Sequence, residues 1–125
     1  MNTQFAASAY AKVQNHSSIE IASPHKLVLM LFDGALERIV QAKGAMQYGN
    51  IEQKGKRINS AISVVSGLRE SLDSAKGGDI ADNLDGLYVY IQDILFKSHV
   101  KNDIELLDEA AHLLGELRSA WVQIG

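Results

Sequence analysis

The sequence contains no cysteine, a single proline, a single tryptophan and no long apolar run. The lack of cysteine excludes disulfides, thiolate catalysis and cysteine-ligated zinc, and it favours a reducing compartment. The longest apolar run covers only residues 27–32, whereas a membrane-spanning helix needs roughly 20 apolar residues. The first residues also lack the basic and apolar regions of a secretory signal. We therefore predict a cytosolic protein without membrane insertion.

The sequence also has no excess of positive charge, because it contains 12 Lys and Arg and 15 Asp and Glu, which gives a net charge of −3. Nucleic acids and anionic membranes both attract clustered cations. The one basic cluster, formed by Lys54, Lys56 and Arg57, is short, and we expect it to be a solvated helix face. No nucleic-acid partner is therefore predicted.

Motifs for catalysis and for cofactors are absent as well. The sequence has no nucleophile elbow, phosphate-binding loop or dinucleotide fingerprint. A di-iron helical bundle needs two Glu-x-x-His pairs, and the only such pair, Glu109 and His112, falls on the outward side of its helix. We expect His16, His25 and His99 to be surface imidazoles near helix ends. The prediction is a protein with no metal and no cofactor that is not an enzyme.

Helical periodicity is what the sequence does contain. Its 125 residues, 46% of them hydrophobic, suit one domain with a single core. Ser23 can cap a helix that begins with Pro24. The glycine-containing segments around Gly49 and Gly78 separate the helices that follow. Apolar residues repeat at spacings of three and four between these breaks. The predicted helices cover about 24–47, 51–74, 80–99 and 103–123.

These four helices predict an all-α fold, because no segment has the alternation of a strand. Short connections place neighbouring helices antiparallel, which gives an up-down four-helix bundle. The most regular stripe runs from Leu107 to Ile124 and includes Trp121, expected in the core. Residues 1–20 are expected to form a short, mobile N-terminal helical cap held by Phe5, Tyr10 and Val13. The alternative is a fifth helix that is packed permanently.

More apolar surface is present than one bundle face can bury. Residues 27–32 are apolar all round the helix, so some of them should point away from the core. Either the N-terminal segment covers them, or a partner protein does, or both compete for the same groove. Glycines inside the predicted helices suggest close packing of a neighbouring backbone or a compliant bundle, and the sequence does not choose between these. They are Gly34, Gly44, Gly55, Gly67, Gly86 and Gly115.

The sequence resembles the flagellin-specific export chaperones, the FliS family, over nearly its whole length. The resemblance rests on several motifs in a fixed order. They are Ala9-Tyr10, Ser23-Pro24-His25-Lys26-Leu27, Met30-Leu31-Phe32-Asp33-Gly34-Ala35, Lys76-Gly77-Gly78-Asp79-Ile80-Ala81 before Asn83-Leu84, Leu87-Tyr88, and Ala120-Trp121.

This resemblance implies a cytosolic chaperone that binds the disordered C-terminal region of flagellin. Such a chaperone prevents premature polymerisation and helps to deliver flagellin to the flagellar type III export apparatus. Tyr10 matches a family tyrosine implicated in the cap and in contact with the export gate protein. The partner-binding residues predicted on this basis are Tyr10, Met30, Leu31, Asp33, Leu84, Leu87, Tyr88 and Ile91, in a monomer or weak dimer. The alternative is a helical adaptor or regulator that binds another flagellar or anti-sigma partner.

Overall fold

The computed structural model describes residues 23–124, without the side chains of residues 74–76. This part of the chain is four helices, and it contains no strand. The helices are α1 (Pro24–Gln47), α2 (Ile51–Glu70), α3 (Ser74–Lys101) and α4 (Ile104–Ile124). The all-α fold predicted from the sequence is confirmed. The predicted cap over residues 1–20, with Phe5, Tyr10 and Val13, lies outside the described residues.

Local hydrogen bonds explain where α1 begins and ends. The Ser23 hydroxyl accepts the backbone N–H of Lys26 at 3.1 Å, and Pro24 occupies the first turn. At the other end Gly49 has a φ of 73°, which a residue without Cβ adopts at little cost. The Asn50 side chain then accepts the backbone N–H of Gln53 at 3.1 Å and starts α2.

Two predicted boundaries differ from the structure around the connection between α2 and α3. Helix α2 ends at Glu70 rather than at about residue 74, because the Ser71 hydroxyl donates to the carbonyl of Leu68 at 2.6 Å and competes with the helical bonding. Helix α3 begins at Ser74 rather than at about residue 80. Gly78, with φ 53° and ψ −128°, is not helical and separates the first turn of α3 from the long helix that follows, so the predicted break at the glycines is present.

Each helix packs against its two neighbours in the chain order α1, α2, α3, α4, and α4 returns to α1. This antiparallel ring makes α1 and α3 diagonal, with α2 and α4 between them. One apolar core fills the centre. Its largest fully buried side chains are Phe32, Leu31, Ile58, Leu68, Ile91, Leu95, Leu107, Leu114 and Val65.

The stripe of α4 is buried over only part of its predicted length. Leu107, Ala110 and Leu114 are fully buried, whereas Trp121 is half-buried and Ile124 is 73% exposed. The expectation that the whole stripe lies in the core was therefore wrong for its last turn. Within this turn Trp121 packs against the edge of the core, whereas Val122 and Ile124 are exposed.

Lys54 is a second correction, because it is buried rather than solvated. Its Nζ donates to the carbonyl of His99 at 3.2 Å and to Oδ1 of Asn102 at 3.0 Å. The ammonium thus ties the start of α2 to the end of α3. His99 is likewise half-buried rather than on the surface, since its ring lies over Gly55. A Cβ at Gly55 would lie 3.2 Å from Cε1 of His99, which supports close packing as the role of this glycine.

Candidate functional site

Two ion pairs join α1 to α4 along one side of the bundle. Nε of Arg118 donates to Oδ1 of Asp33 at 2.5 Å, and Nζ of Lys43 donates to Oδ1 of Asp108 at 2.8 Å. The two pairs are ten residues apart on each helix, which is about 15 Å at a rise of 1.5 Å per residue. They fix the antiparallel register of the two helices.

Counting along the two helices from these ion pairs brings Leu36 level with Gly115 and Val40 level with Ala111. We infer that the larger apolar side chains of α1 lie beside small residues of α4 here. Val40 is 69% exposed, and a Cβ at Gly115 would meet no atom within 4 Å. The surface, which we name the α1/α4 groove, therefore has an apolar wall and a shallow floor. It is formed by Leu29, Asp33, Leu36, Val40 and Lys43 of α1 and by Asp108, Ala111, Gly115, Arg118 and Val122 of α4.

A pocket of about 420 Å³ opens at the end of the bundle where α1 begins and α4 ends. Its central feature is a stack of the His25 and Trp121 rings, with centroids 4.8 Å apart and planes inclined by 13°. Nε1 of Trp121 also donates to the His25 carbonyl at 2.9 Å. We name this the basal pocket, and its lining residues are Pro24, His25, Val28, Ser71, Trp121 and Ile124.

The basal pocket and the α1/α4 groove lie on the same two helices. Leu29 of the groove follows Val28 of the pocket, and Val122 of the groove follows Trp121 of the pocket. Val122 is 46% exposed and Ile124 is 73% exposed. Exposed apolar residues of both sites therefore lie in the last turn of α4.

Several residues predicted to bind a partner are instead part of the core. Leu31, Tyr88 and Ile91 are 1%, 4% and 0% exposed, so a partner cannot reach them while the helices stay packed. The prediction joined residues of α1 to residues of α3, but these helices are diagonal and their facing sides meet in the core. Met30, Leu84 and Leu87 are half-buried and pack against it. No single groove contains all six side chains.

Asp33 is the predicted residue that lies on the α1/α4 groove, where it is exposed and paired with Arg118. Tyr10 lies outside the described residues. The sequence analysis missed the other groove residues, among them Val40, Gly115 and Arg118. The signal that could have found them is a second stripe on α1, with Leu29, Asp33, Leu36, Val40 and Lys43 at alternating steps of four and three.

The charges at this site suit recognition rather than proton transfer. The hydrogen bond with Asp33 raises the pKa of Arg118, so the guanidinium keeps its charge. Burial raises the pKa of Tyr88 in the core to about 12, which keeps that phenol neutral. Exposed cations and anions at the groove are thus paired across its two walls, and an apolar strip lies between them.

Metal-binding side chains do not converge anywhere in residues 23–124, where no group of three His, Asp or Glu could hold an ion. Glu109 and His112, the Glu-x-x-His pair noted in the sequence, each contact a different residue. Glu109 accepts the hydroxyl of Tyr90, and this hydrogen bond raises the tyrosine pKa. His112 lies 3.2 Å from Glu116, one turn further along α4. Within the same residues, no helix combines the length and apolarity needed to cross a bilayer.

Comparison with known proteins points to one family. The family model described as flagellar protein FliS matches residues 6–125. The flagellar secretion chaperone FliS of Vibrio cholerae serotype O1 is 46% identical over 116 residues, which is 93% of this chain and 85% of that protein. The flagellar secretion chaperone FliSB of Pseudomonas aeruginosa is 44% identical over 116 residues, or 93% of this chain and 92% of that protein.

A third relative covers the chain almost completely. The flagellar secretion chaperone FliS of Salmonella typhimurium is 39% identical over 125 residues, which is 99% of this chain and 93% of that protein. These names describe chaperones, which indicates a non-enzymatic role. The matches extend across all four helices, and so they include both the basal pocket and the α1/α4 groove.

Proposed function

Because the chain belongs to the flagellar protein FliS family of flagellar secretion chaperones, we propose that its client is the C-terminal segment of flagellin. In this proposal the chaperone holds that segment in the cytosol, prevents premature polymerisation and helps to deliver flagellin to the flagellar type III export apparatus. The structural observation that carries the proposal is the α1/α4 groove, an apolar strip that the bundle leaves open to solvent.

The dimensions of the groove suit an amphipathic helix. The ion pairs Asp33–Arg118 and Lys43–Asp108 frame about 15 Å of surface, which corresponds to about ten residues of α-helix. A client helix can place apolar side chains every three or four residues against Leu36 and Val40. Its polar face would remain in solvent beside the two ion pairs. The small floor residues leave room for its side chains to insert.

The basal pocket offers a second anchor for the same client. Its stacked aromatic rings and the exposed Ile124 present apolar area at the end of the groove. Contacts at two points let a disordered segment wrap round the bundle and fold as it binds, with the cost of ordering keeping the complex releasable. Met30, Leu84 and Leu87, each half-buried, are proposed as further contacts where the client passes the bundle end.

Delivery to the export apparatus requires a second interaction. We assign it to the N-terminal segment, in which Tyr10 is the proposed contact with the export gate protein. This assignment follows the family resemblance of Ala9-Tyr10 and rests on no geometry among residues 23–124. It places the export contact and the client groove on separate parts of the chain.

Calorimetry with a synthetic peptide of the flagellin C-terminal segment tests the client and its site. The full chain should bind the peptide with a negative heat-capacity change, since apolar surface is buried. The variant Gly115→Leu fills the floor of the groove and should weaken binding at least tenfold, which is about 1.4 kcal/mol. The matched control is Gly86→Leu on α3, where a Cβ also meets no atom within 4 Å, and it should bind as the unmodified chain does.

A second pair of variants tests the wall of the groove. Val40→Asp places a charge on the proposed contact, whereas Ile51→Asp alters a similarly exposed residue at the start of α2, since the two are 69% and 73% exposed. Only Val40→Asp should weaken peptide binding. If the unmodified chain does not bind the peptide, the proposal that flagellin is the client is wrong. If Gly115→Leu and Val40→Asp bind the peptide as strongly as the unmodified chain, flagellin remains the proposed client, but the α1/α4 groove is not its binding site.

A further inference from the structure

The second half of α4 is held to the bundle less firmly than the first half. The fully buried side chains of α4 are Leu107, Ala110 and Leu114. Residues 115–124 contain no buried side chain, and Leu117 and Trp121 pack against the edge of the core while remaining only partly buried. Local opening costs least where few apolar side chains are buried. Residues 116–124 should therefore separate from the bundle more readily than the first half of the helix.

Gly115 lies at the boundary between these two halves. A Cβ at this position would meet no atom within 4 Å, so the glycine is not required for the close approach of a neighbouring helix. Its backbone is freer to change conformation than that of any residue with a side chain. Hinges in proteins are often small residues of this kind. Gly115 is thus suited to let the second half of α4 move relative to the first.

Two polar contacts hold the second half of α4 against α1. Arg118 pairs with Asp33 at 2.5 Å, and the two side chains are 38% and 52% exposed. Ion pairs as exposed as this one stabilise a protein only slightly. The indole of Trp121 stacks on the ring of His25 and donates to its carbonyl at 2.9 Å. Both contacts lie beyond Gly115, so they can break while the first half of α4 stays in place.

The basal pocket provides space beneath this part of α4. Trp121 and Ile124 line the pocket together with Val28 of α1. Val28 is only 8% exposed and belongs to the core, so the pocket leads from the surface to the core. An outward movement of the last turns of α4 would widen the pocket and uncover this apolar surface.

We propose that residues 116–124, which we name the α4 lid, swing outward about Gly115 and open the basal pocket as far as Val28. The lid is closed when Arg118 and Trp121 make their contacts with α1. Its movement is a property of the bundle alone. The further step, in which flagellin occupies the opened pocket, rests on the function proposed above. The lid would give a disordered client access to apolar surface that the closed bundle covers.

Thiol labelling of the full chain tests the movement. The sequence has no cysteine, so Val28→Cys introduces a single thiol, and its alkylation by iodoacetamide reports on opening of the lid. Val65→Cys is the matched variant, because it replaces a fully buried valine of α2 that does not line the pocket. Val28→Cys should react at least about tenfold faster, since local opening has a lower free energy than global unfolding. Leu117→Cys, on the lid itself, provides a second reporter.

Changes at the hinge and at the closing contacts test the mechanism in the Val28→Cys chain. Arg118→Gln should raise the labelling rate by up to about fivefold, because it removes an exposed ion pair. Lys43→Gln removes the other α1/α4 ion pair, which lies before the hinge, and should leave the rate unchanged. Gly115→Ala should lower the rate by up to about fivefold, since Ala favours the helix. Ser119→Ala favours the helix within the lid and should have no such effect.

Three results would overturn the lid. The first is equal labelling of Val28→Cys and Val65→Cys, and the second is an equal effect of Arg118→Gln and Lys43→Gln. The third is an equal decrease for Gly115→Ala and Ser119→Ala, because the last turns of α4 would then unravel instead of swinging. Circular dichroism checks that each variant folds.

The flagellin peptide separates the lid from the proposed function. At about ten times its dissociation constant, a peptide that occupies the pocket should lower the labelling rate of Val28→Cys about tenfold. If calorimetry shows binding and the rate does not fall, flagellin remains the client but does not enter through the lid. If the peptide does not bind, the proposed function is wrong, and the rates measured without peptide still decide whether the lid opens.

Discussion

Trp121, near the end of α4, stacks on His25, in the first turn of α1, with ring centroids 4.8 Å apart. Its indole N–H also donates to the carbonyl of His25 at 2.9 Å. That carbonyl lies in the first turn of α1, so the indole joins the two ends of the described chain directly. This contact closes the ring of helices at the end that carries the basal pocket.

Replacing Trp121 with Ala should lower the free energy of unfolding by about 2–3 kcal/mol. The cost should fall below the about 3–5 kcal/mol of a fully buried Trp, because the side chain is half-buried. Chemical denaturation measures the change. Val122→Ala is the control, because the neighbouring valine is 46% exposed and should cost less than about 0.5 kcal/mol. Equal effects of the two changes would show that the stack does not hold α4 to α1.

The contribution of the ring stack can be separated by a double-mutant cycle of Trp121→Ala and His25→Ala, in which each change removes one ring. The coupling energy should lie between about 0.5 and 1.5 kcal/mol, as for stacked aromatic pairs. Phe keeps a ring but lacks the N–H donor, so Trp121→Phe alone reports the loss of the hydrogen bond to the backbone of His25. Additive effects of the two changes would mean that the rings are adjacent without stabilising each other.

Replacing Lys54 with Ala should lower the free energy of unfolding by about 1–3 kcal/mol, because the carbonyl of His99 and the amide oxygen of Asn102 lose their donor. The structure places these acceptors 3.2 and 3.0 Å from the ammonium. Lys56→Ala is the matched control on the exposed side of the same helix. Urea denaturation of both variants makes the comparison. A Lys54 variant as stable as the Lys56 variant would contradict the buried role.

Alanine at two helical glycines should have opposite consequences. Gly115→Ala should raise the free energy of unfolding by about 0.5–1 kcal/mol, since Ala favours the helix and its Cβ meets no atom within 4 Å. Gly55→Ala should gain less or destabilise, because its Cβ would lie 3.2 Å from the ring of His99. Thermal denaturation distinguishes them. A Gly55 variant that gains as much as the Gly115 variant would show that the ring moves aside freely.

Alkaline pH should weaken the fold through Tyr88. Burial raises its pKa from 10.0 to about 12, so its stabilising contribution is full below pH 10 and is lost as the pH rises toward 12. A difference of two units corresponds to at most about 2.7 kcal/mol. Denaturant unfolding from pH 8 to 11.5 should show a steeper loss for the unmodified chain than for Tyr88→Phe. Parallel pH profiles would indicate that the phenol ionises without opening the core.

Much of the fold followed from periodicity. Apolar residues spaced by three and four lie on one face of a helix, and a short chain buries that face against its other helices. The cap at Ser23 and Pro24 could be recognised from residue types alone. The interruption at Gly78 could also be recognised in this way, because its φ of 53° is one that glycine adopts at little cost. The early end of α2 could not, because it depends on which carbonyl the Ser71 side chain reaches.

The candidate site was less predictable than the fold. The sequence indicated surplus apolar residues at 27–32, but three of these are buried and three are half-buried, whereas the exposed Val40 was not singled out. The sequence could not indicate which side chains of α1 and α3 face the centre of the bundle, where Leu31, Tyr88 and Ile91 are buried in the core. Nor could it pair Asp33 with Arg118, because those residues are far apart in the chain and only the register of α1 against α4 brings them together.

The sequence by itself determined that this chain is all-α and which motifs of the FliS family it carries, because helix caps and periodic stripes are properties of neighbouring residues. Only the tertiary structure decided which apolar side chains remain outside the core, since burial depends on the helix that packs opposite. The same residue types fill the core at Leu31 and line the α1/α4 groove at Leu36. The difference between them is that Leu31 lies within the core, whereas Leu36 packs at its edge and is only partly buried.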